Sequence, residues 1–263
     1  MSPSEYLQRQ AALVQERRIT VGAAQARLLT AGPEQPSAVL LLTGAGRGVR
    51  TDTALVLPML ARRHRVAALE LADLRDPWGD GPAGVSAALD ALGADEVVVV
   101  GHALGAAVAV SADDPRIRAL ALVAGWLRPT ERLRGAAQLW ELLSPEAQDE
   151  AGRLLALRAW GPSSPWNTDA ARMLAASARA DASAAATRLR LPALVVACTA
   201  DAVVGVEGSE ALLGAIEDAR YCLIDSGHAV LAERPAELLA VLERFVTDPR
   251  RDPAGSVLER MTV

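Results

Sequence analysis

Two side chains in the last quarter of the sequence could together perform general-base chemistry. Asp201 follows the apolar run PALVVAC and His228 follows the run RYCLID, so each comes soon after a predicted strand. A carboxylate bound to one imidazole nitrogen fixes the tautomer and leaves the other nitrogen free to take a proton. Alone, Asp201 could be a helix cap or turn former, and His228 could hydrogen-bond within its loop. Their order and separation favour a carboxylate–imidazole pair.

A third stretch, VVVVGHALG at residues 97–105, ends an apolar run in a turn flanked by glycines. Many hydrolases carry a nucleophilic serine at the centre of such a turn, but this chain has Ala103 there, whose side chain is a methyl group. Ala103 itself therefore cannot form a covalent intermediate. We expect His102 to have a structural place beside the turn and His64 to flank a helix end.

The elements that must position these residues alternate between strands and helices. Short apolar runs predict six strands, at residues 38–43, 65–71, 96–100, 118–125, 192–198 and 220–225. Helical patterns lie between them, at Thr51–Arg63, Gly84–Leu92, Val206–Ile216 and Ala236–Thr247. Continuous apolar strands separated by helices predict an α/β fold whose mostly parallel sheet is buried on both faces.

One interval, residues 126–190, interrupts this alternation with alanine-rich helical sequence. It holds four of the chain's five tryptophans, namely Trp126, Trp140, Trp160 and Trp166. Such an insertion suits a cap over a pocket at the carboxyl ends of the strands, with the tryptophans lining an apolar cavity. The same tryptophans could equally well attach the insertion to the sheet. The segment 248–263 is polar and interrupted by prolines, so we expect a flexible tail.

The order of these motifs resembles the α/β-hydrolase superfamily over nearly the whole chain. The resemblance implies that VVVVGHALG is the nucleophile elbow, with Gly101 and Gly105 allowing tight packing of strand and helix. It makes Asp201 and His228 the acid and histidine of the catalytic triad. It also makes TGAG, residues 43–46, the oxyanion loop, so that the N–H groups of Leu104 and Ala45 would face a developing oxyanion.

The superfamily's architecture further implies how the chain divides. A mostly parallel central sheet flanked by helices would comprise residues 1–125 and 191–247. A helical cap, or lid, would comprise residues 126–190, and the tail residues 248–263.

The chain departs from the family pattern at three points. Ala103 replaces the nucleophilic serine, Thr43 replaces the usual histidine of the oxyanion loop, and the elbow helix is about one turn short. Loss of a triad serine costs on the order of 10⁶ in rate, roughly 8 kcal/mol of barrier. A positioned base alone contributes about 10²–10⁴. Proton transfer by His228 therefore remains feasible, whereas acyl transfer through residue 103 does not.

Three hypotheses follow for the function. The first is a non-hydrolytic enzyme whose Asp201–His228 dyad acts as general base in elimination, epimerisation, cyclisation or a related proton transfer. Its substrate would be a small, mainly apolar, carbonyl-containing metabolite, with natural-product biosynthesis as one setting. The second is a serine esterase or thioesterase whose serine has been changed to alanine. The third is a pseudoenzyme that binds a ligand without converting it.

Composition excludes several other classes. The net charge of −5 argues against nucleic-acid and anionic-membrane surfaces, and no apolar run is long enough to span a bilayer. The first residues, MSPSEYLQRQ, do not resemble a signal peptide, so we expect a cytoplasmic protein. The two cysteines suit reduced core thiols, and no histidine pair has metal-ligand spacing, so we expect no metal and no cofactor. The oligomeric state stays open.

A glycine-rich stretch, LLTGAGRGVR at residues 41–50, also resembles the cofactor loop of short-chain dehydrogenases, with Glu70 where a ribose-binding acid could lie. Arg50 occupies the position of the last glycine of that pattern, where a bulky side chain would obstruct the cofactor. The chain contains no lysine, which excludes the Tyr-x-x-x-Lys pair of those enzymes as well as Schiff-base and P-loop chemistry. We therefore set the dehydrogenase interpretation aside.

Overall fold

The computed structural model describes residues 12–144, 146–148, 151 and 168–259. Its strands are β1 (Gln15–Val21), β2 (Ala24–Ala31), β3 (Ser37–Leu42), β4 (Arg65–Leu69), β5 (Glu96–His102), β6 (Ile117–Val123), β7 (Ala193–Cys198), β8 (Ala219–Ile224) and β9 (Val257–Leu258). Its helices are α1 (Val49–Asp52), α2 (Val56–Leu60), α3 (Gly81–Leu92), α4 (Leu104–Ser111), α5 (Glu131–Leu142), α6 (Thr168–Ser177), α7 (Ser183–Ala186), α8 (Val206–Ala215), α9 (Val230–Glu233) and α10 (Pro235–Thr247), with a 3₁₀ turn at Leu71–Asp73.

The strands form one mixed sheet in the order β1-β2-β4-β3-β5-β6-β7-β8-β9. The pairs β1–β2 and β2–β4 are antiparallel, and every other pair is parallel. The six strands predicted from the sequence are β3 to β8, and the predicted mostly parallel α/β sheet is confirmed.

Helices cover both faces of this sheet, so its central strands are apolar at nearly every position. On one face, Leu40 and Val99 pack in a cluster with residues of α3 and α4, such as Leu89 and Val108. On the other face, Val39 and Val98 pack in a second cluster with residues of α2 and α10. Burial on both sides explains why the strands read as uninterrupted runs of valine, leucine and alanine rather than as alternating patterns.

The carboxyl ends of β3, β5, β7 and β8 carry the candidate site residues to one edge of the sheet. Parallel strands end on the same side, so Thr43, Ala103, Asp201 and His228 all follow strands there. Between β6 and β7 lie α5, α6 and α7, within the interval we predicted to be a cap. None of the described helices is both long and apolar enough to cross a membrane.

The segment 248–259 differs from the flexible tail we expected. β9 pairs in parallel with β8, with Tyr221 opposite Val257. The side chain of Arg220 is buried and donates a hydrogen bond of 2.7 Å to the carbonyl of Asp252, and Arg244 forms an ion pair with the Asp252 carboxylate at 2.5 Å. These contacts hold the segment against the edge of the sheet: Asp218 pairs with Nη1 of the buried guanidinium, and the tail supplies the acceptor for its Nε.

Candidate active site

The turn between β5 and α4 has the strained backbone expected of a nucleophile elbow. Ala103 has φ 54° and ψ −120°, a conformation that side chains other than glycine rarely adopt. Its N–H donates to the carbonyl of Val123 at 3.0 Å, and its own carbonyl accepts from Ala106 at 2.9 Å. The sharp turn is therefore held by the neighbouring strand and by the first turn of α4, with a methyl group at its centre.

Two glycines let the strand and helix of this elbow approach each other closely. A Cβ atom at Gly101 would overlap the carbonyl oxygen of Gly105, and a Cβ atom at Gly105 would overlap the carbonyl oxygen of Leu42. Since all of these are backbone atoms, they cannot move aside as a flexible side chain would. The elbow geometry thus depends on glycine at both positions.

Asp201 and His228 meet as a buried hydrogen-bonded pair. Nδ1 of His228 lies 2.9 Å from Oδ2 of Asp201, and the two residues are 3% and 6% exposed. The other carboxylate oxygen, Oδ1, accepts the N–H groups of Val203 and Val204, each at 2.8 Å. The loop after β7 therefore holds the carboxylate by its backbone, and the carboxylate holds the imidazole.

The charge state of this pair fixes the histidine tautomer. Burial would raise the pKa of Asp201, but the charge and hydrogen bond of His228 and two backbone N–H groups lower it to about 2. An ionised carboxylate only accepts hydrogen bonds, so Nδ1 of His228 carries the proton. Nε2 has no hydrogen-bond partner among the described residues, which leaves its lone pair free to act as a base.

A second histidine, His102, contacts the pair from the end of β5. Its Nε2–H donates a hydrogen bond of 2.8 Å to the backbone carbonyl of His228, and the two ring centroids are 5.0 Å apart. Burial, and then the positive charge that His228 can carry, lower the pKa of His102 to about 3. His102 is therefore neutral at pH 7. We had expected only a structural place beside the turn, and nothing in the sequence indicated its partner.

The predicted oxyanion loop lies directly against the elbow. A Cβ atom at Gly44 would lie 2.6 Å from Cβ of Ala103 and 3.0 Å from the backbone nitrogen of Leu104. Within the described part of the chain, the N–H groups of Leu104 and Ala45 donate no hydrogen bond. The N–H of Leu104 is also the first of helix α4, where the helix dipole favours negative charge. Both groups are thus available to stabilise an oxyanion.

Two carboxyl groups, the half-buried Asp52 and the buried Glu70, hold the continuation of that loop, a role that sequence reasoning missed. Oδ1 of Asp52 accepts the N–H of Arg47 at 3.1 Å, and Oε2 of Glu70 accepts the N–H of Val49 at 2.7 Å. Glu70 also lies 3.4 Å from the guanidinium of Arg27. The side chain that we considered as a ribose ligand is therefore occupied in supporting the loop.

Burial dominates the ionisation of Asp52. It raises the pKa of this carboxyl to about 7, the backbone N–H of Arg47 opposes the shift, and the negative charge of Glu70 adds to it. Helix α1, which follows this loop, thus contains a carboxyl group that changes charge near neutral pH.

The tryptophans that we expected in the cap fall into two groups. Trp126 and Trp140 are 1% and 0% exposed and belong to the same apolar cluster as α4. Nε1–H of Trp126 donates to the carbonyl of Ala180 at 3.0 Å, which attaches the segment after β6 to the segment after α6. That contact favours the attaching role for Trp126. Trp160 and Trp166 lie outside the described residues.

The cysteines and possible metal ligands do not add to this site. Cys198 and Cys222 are buried and are not joined in a disulfide, and burial raises the pKa of Cys198. Across residues 12–144, 146–148, 151 and 168–259, no three His, Cys, Asp or Glu side chains are grouped so as to hold a metal ion.

Comparison with known proteins places this geometry among hydrolases. The sequence profile of the alpha/beta hydrolase family matches residues 20–241. A pyrrolizixenacetamide deacetylase from Xenorhabdus hominickii is 27% identical over 171 residues, which are 56% of this chain and 64% of that protein. The similarity thus spans less than two thirds of the deacetylase.

Solved structures agree on the fold. A bacterial membrane phospholipase A matches with a TM-score of 0.74 at 20% identity, covering 95% of this chain and 91% of that one. An esterase from Thermogutta terrifontis matches with a TM-score of 0.70 at 22% identity, covering 89% of this chain and 99% of the esterase. At these identities the likeness establishes a shared fold and no shared substrate.

Proposed function

Because the chain belongs to the alpha/beta hydrolase family, we propose that it is an enzyme acting on the carbonyl group of a small ester or amide, with His228 as general base. The observation that carries this proposal is the buried 2.9 Å contact between Nδ1 of His228 and Oδ2 of Asp201, together with the backbone N–H groups of Leu104 and Ala45, which bind no acceptor among the described residues. The similarity to a deacetylase supports a carbonyl substrate. The enzyme has the α/β-hydrolase fold that the sequence predicted.

Without a hydroxyl at residue 103, we infer that water is the nucleophile. Nε2 of His228 would take a proton from a water molecule while the water oxygen bonds to the carbonyl carbon. The carbonyl oxygen, now negative, would be stabilised by the N–H groups of Leu104 and Ala45. His228 would then return its proton to the leaving alcohol or amine as the carbon–heteroatom bond breaks. Asp201 keeps the imidazole in the required tautomer throughout.

The methyl group of Ala103 favours a second candidate, proton transfer without hydrolysis. The same base could remove a proton from a carbon next to a carbonyl, and the same N–H pair would stabilise the enolate. This reaction needs no nucleophile, so it loses nothing from the alanine. Hydrolysis by water does lose rate, because the serine of a triad is worth on the order of 10⁶.

Restoring a nucleophile distinguishes these candidates. We expect Ala103→Ser to hydrolyse p-nitrophenyl acetate with a burst of one p-nitrophenolate per protein, because dyad and oxyanion donors are already in place. Wild type should hydrolyse the same ester more slowly and without a burst. His228→Ala and Asp201→Asn should lower both activities, the latter by about 10⁴ in the serine variant.

The pattern of results assigns the function. Burst kinetics in Ala103→Ser together with slow, His228-dependent turnover in wild type supports hydrolysis. An inert serine variant would contradict the hydrolase proposal. Should wild type still convert a co-purifying metabolite in a His228-dependent reaction, proton transfer would be supported. Binding of that metabolite without conversion, unaffected by His228→Ala, would indicate a non-catalytic ligand-binding protein.

A further inference from the structure

The loop that carries His228 is fixed by contacts from three directions. On its own side, the N–H of Gly227 donates to Oε2 of Glu233 at 2.8 Å. From the loop after β7, the N–H of Ala200 donates to the carbonyl of Ser226 at 2.9 Å. The third contact comes from the elbow, where Nε2–H of His102 donates to the carbonyl of His228. The first two tie the loop to its neighbours, and the third ties it to the elbow.

In this third contact the donor and the acceptor are fixed. A backbone carbonyl accepts hydrogen bonds and cannot donate them, so Nε2 of His102 must carry the proton. His102 is buried and faces the ring of His228, with the Asp201 carboxylate beyond it; these are the ionisable groups that act on it. Burial and the charge of His228 lower the pKa of His102, which keeps this donor neutral and in one tautomer across the neutral pH range.

The position of His102 in the chain gives the bond its importance. His102 ends β5 and directly precedes Ala103, whereas its partner, His228, lies 126 residues later in the loop after β8. In the sheet, β8 is three strands away from β5. One side chain thus links the centre of the elbow to the backbone of the base. The distance between the elbow and Nε2 of His228 decides whether an attacking atom, the base and the oxyanion donors meet, and an error of about 1 Å can cost 10² in rate.

We propose that His102 is a positioning residue that sets the distance between the elbow and the imidazole of His228. It touches no reacting atom. The inference rests on the proposed function only in taking His228 as the base, and its geometric content can be tested without a substrate.

The methyl group of Ala103 is a native probe of this distance. We would label alanine methyl groups and histidine rings and measure the NOE between the Ala103 methyl and the ring protons of His228. The chain has three histidines, so His102, His228 and His64 can be assigned by single substitutions. We expect the NOE in wild type, its loss in His102→Ala, and its retention in His102→Gln, whose amide nitrogen can take the place of Nε2.

His64→Gln is the matched control: His64 directly precedes β4 and pairs with Glu243 of α10 at 3.0 Å, so its replacement should leave the NOE unchanged. Asn in place of His102 is too short to reach the carbonyl, so comparing Asn with Gln keeps the test decisive even if His102→Ala fails to fold. An unchanged NOE in folded His102→Asn would overturn the proposal.

A kinetic measurement tests the same claim by a different route. In the Ala103→Ser background, His102→Asn should lower kcat for p-nitrophenyl acetate about 10-fold to 100-fold and leave KM unchanged, with His102→Gln restoring most of the rate. Equal kcat in the Asn and Gln variants of an active enzyme would contradict the proposal. If no serine variant is active, the proposed hydrolysis fails while the NOE still decides the role of His102.

Discussion

At the scale of single residues, Ala103 adopts a conformation that its own chemistry does not explain. A positive φ costs a residue other than glycine about 1–3 kcal/mol. The only other such residue described is Ala124, with φ 47°, directly after β6. The glycines on either side of the turn, the close approach of Gly44 and the start of α4 impose the strain on Ala103. A turn that presents a reactive side chain needs this conformation, whereas a methyl group does not.

The strain predicts an unusual response to glycine. Ala103→Gly should raise the free energy of unfolding by about 1 kcal/mol, because relief of the positive φ exceeds the roughly 0.8 kcal/mol lost with one buried methyl group. Urea titration would measure the change. Ala106→Gly, in α4 and equally buried, should lower stability by about 1–2 kcal/mol. Similar losses in both variants would show that the turn is not strained.

At the scale of elements, the segment between β3 and α2 is organised by two carboxyl groups, Asp52 in its own helix α1 and Glu70 directly after β4. Asp52 and Glu70 accept N–H groups from residues of the loop, and the side chain of Asp52 lies against the Cα of Gly46. These contacts help to hold the loop that carries the N–H of Ala45 against the elbow. The cost is that partial burial raises the pKa of the Asp52 carboxyl to about 7.

This cost predicts a pH dependence whose sign can be stated. Between about pH 4 and 7 the folded protein binds a proton at Asp52 that the unfolded chain has released, so this group's contribution to stability falls as pH rises. Asp52→Asn keeps an acceptor oxygen and carries no charge. Its stability relative to wild type should therefore increase between pH 4 and 7, by up to about 1.4 kcal/mol per pH unit.

The quantity to measure is the difference in unfolding free energy between wild type and Asp52→Asn, because His102 makes stability depend on pH in the opposite direction. Its pKa is lowered to about 3, so its contribution to stability is lost as pH falls below about 6.5. We would measure the free energy of unfolding of wild type and Asp52→Asn by urea titration at pH 5 and at pH 8. The contribution of His102 is common to both proteins, so it cancels in their difference. The exposed Asp113→Asn should show no such change, and a pH-independent effect of Asp52→Asn would disprove the burial argument.

Sequence patterns could predict the strands, which are local features, and the site residues whose order along the chain matches the order of those strands. The six apolar runs became β3 to β8, and the two residues following β7 and β8, Asp201 and His228, meet as expected. The bond from His102 to His228 and the support of the loop by Glu70 could not be predicted, because each joins segments whose proximity depends on the finished sheet. The contact between Arg220 and Asp252 could not be predicted for the same reason, since the polar, proline-interrupted sequence of residues 248–263 predicted only a flexible tail.

At the scale of the whole molecule, the sheet ends in two different edges. One edge is the antiparallel hairpin of β1 and β2, and the other is the short strand β9, which covers β8. An uncovered edge exposes unpaired backbone groups and favours aggregation. The segment 248–259 therefore completes the fold, although it lies beyond the part of the chain that matches the hydrolase family.

Removing that segment should destabilise the protein. A chain truncated after Thr247 loses β9 and leaves the buried guanidinium of Arg220 without the carbonyl of Asp252. We expect a loss of about 2–4 kcal/mol and a lower Tm, measured by thermal unfolding. Arg220 keeps its ion pair with Asp218 in the truncated chain, so the loss should come from β9 and from the contacts with Asp252. Unchanged Tm on truncation would mean that the tail contributes nothing to the fold.

The strained turn finally bears on how this chemistry could change through inheritance. The backbone around Ala103 is imposed by its neighbours, so it would be the same with serine at that position. An alanine codon becomes a serine codon by a single base substitution, which alters neither the imidazole nor the amide donors around it. Descendants of such a gene could therefore gain or lose covalent catalysis in one mutational event, with every ancestor along the way still folded.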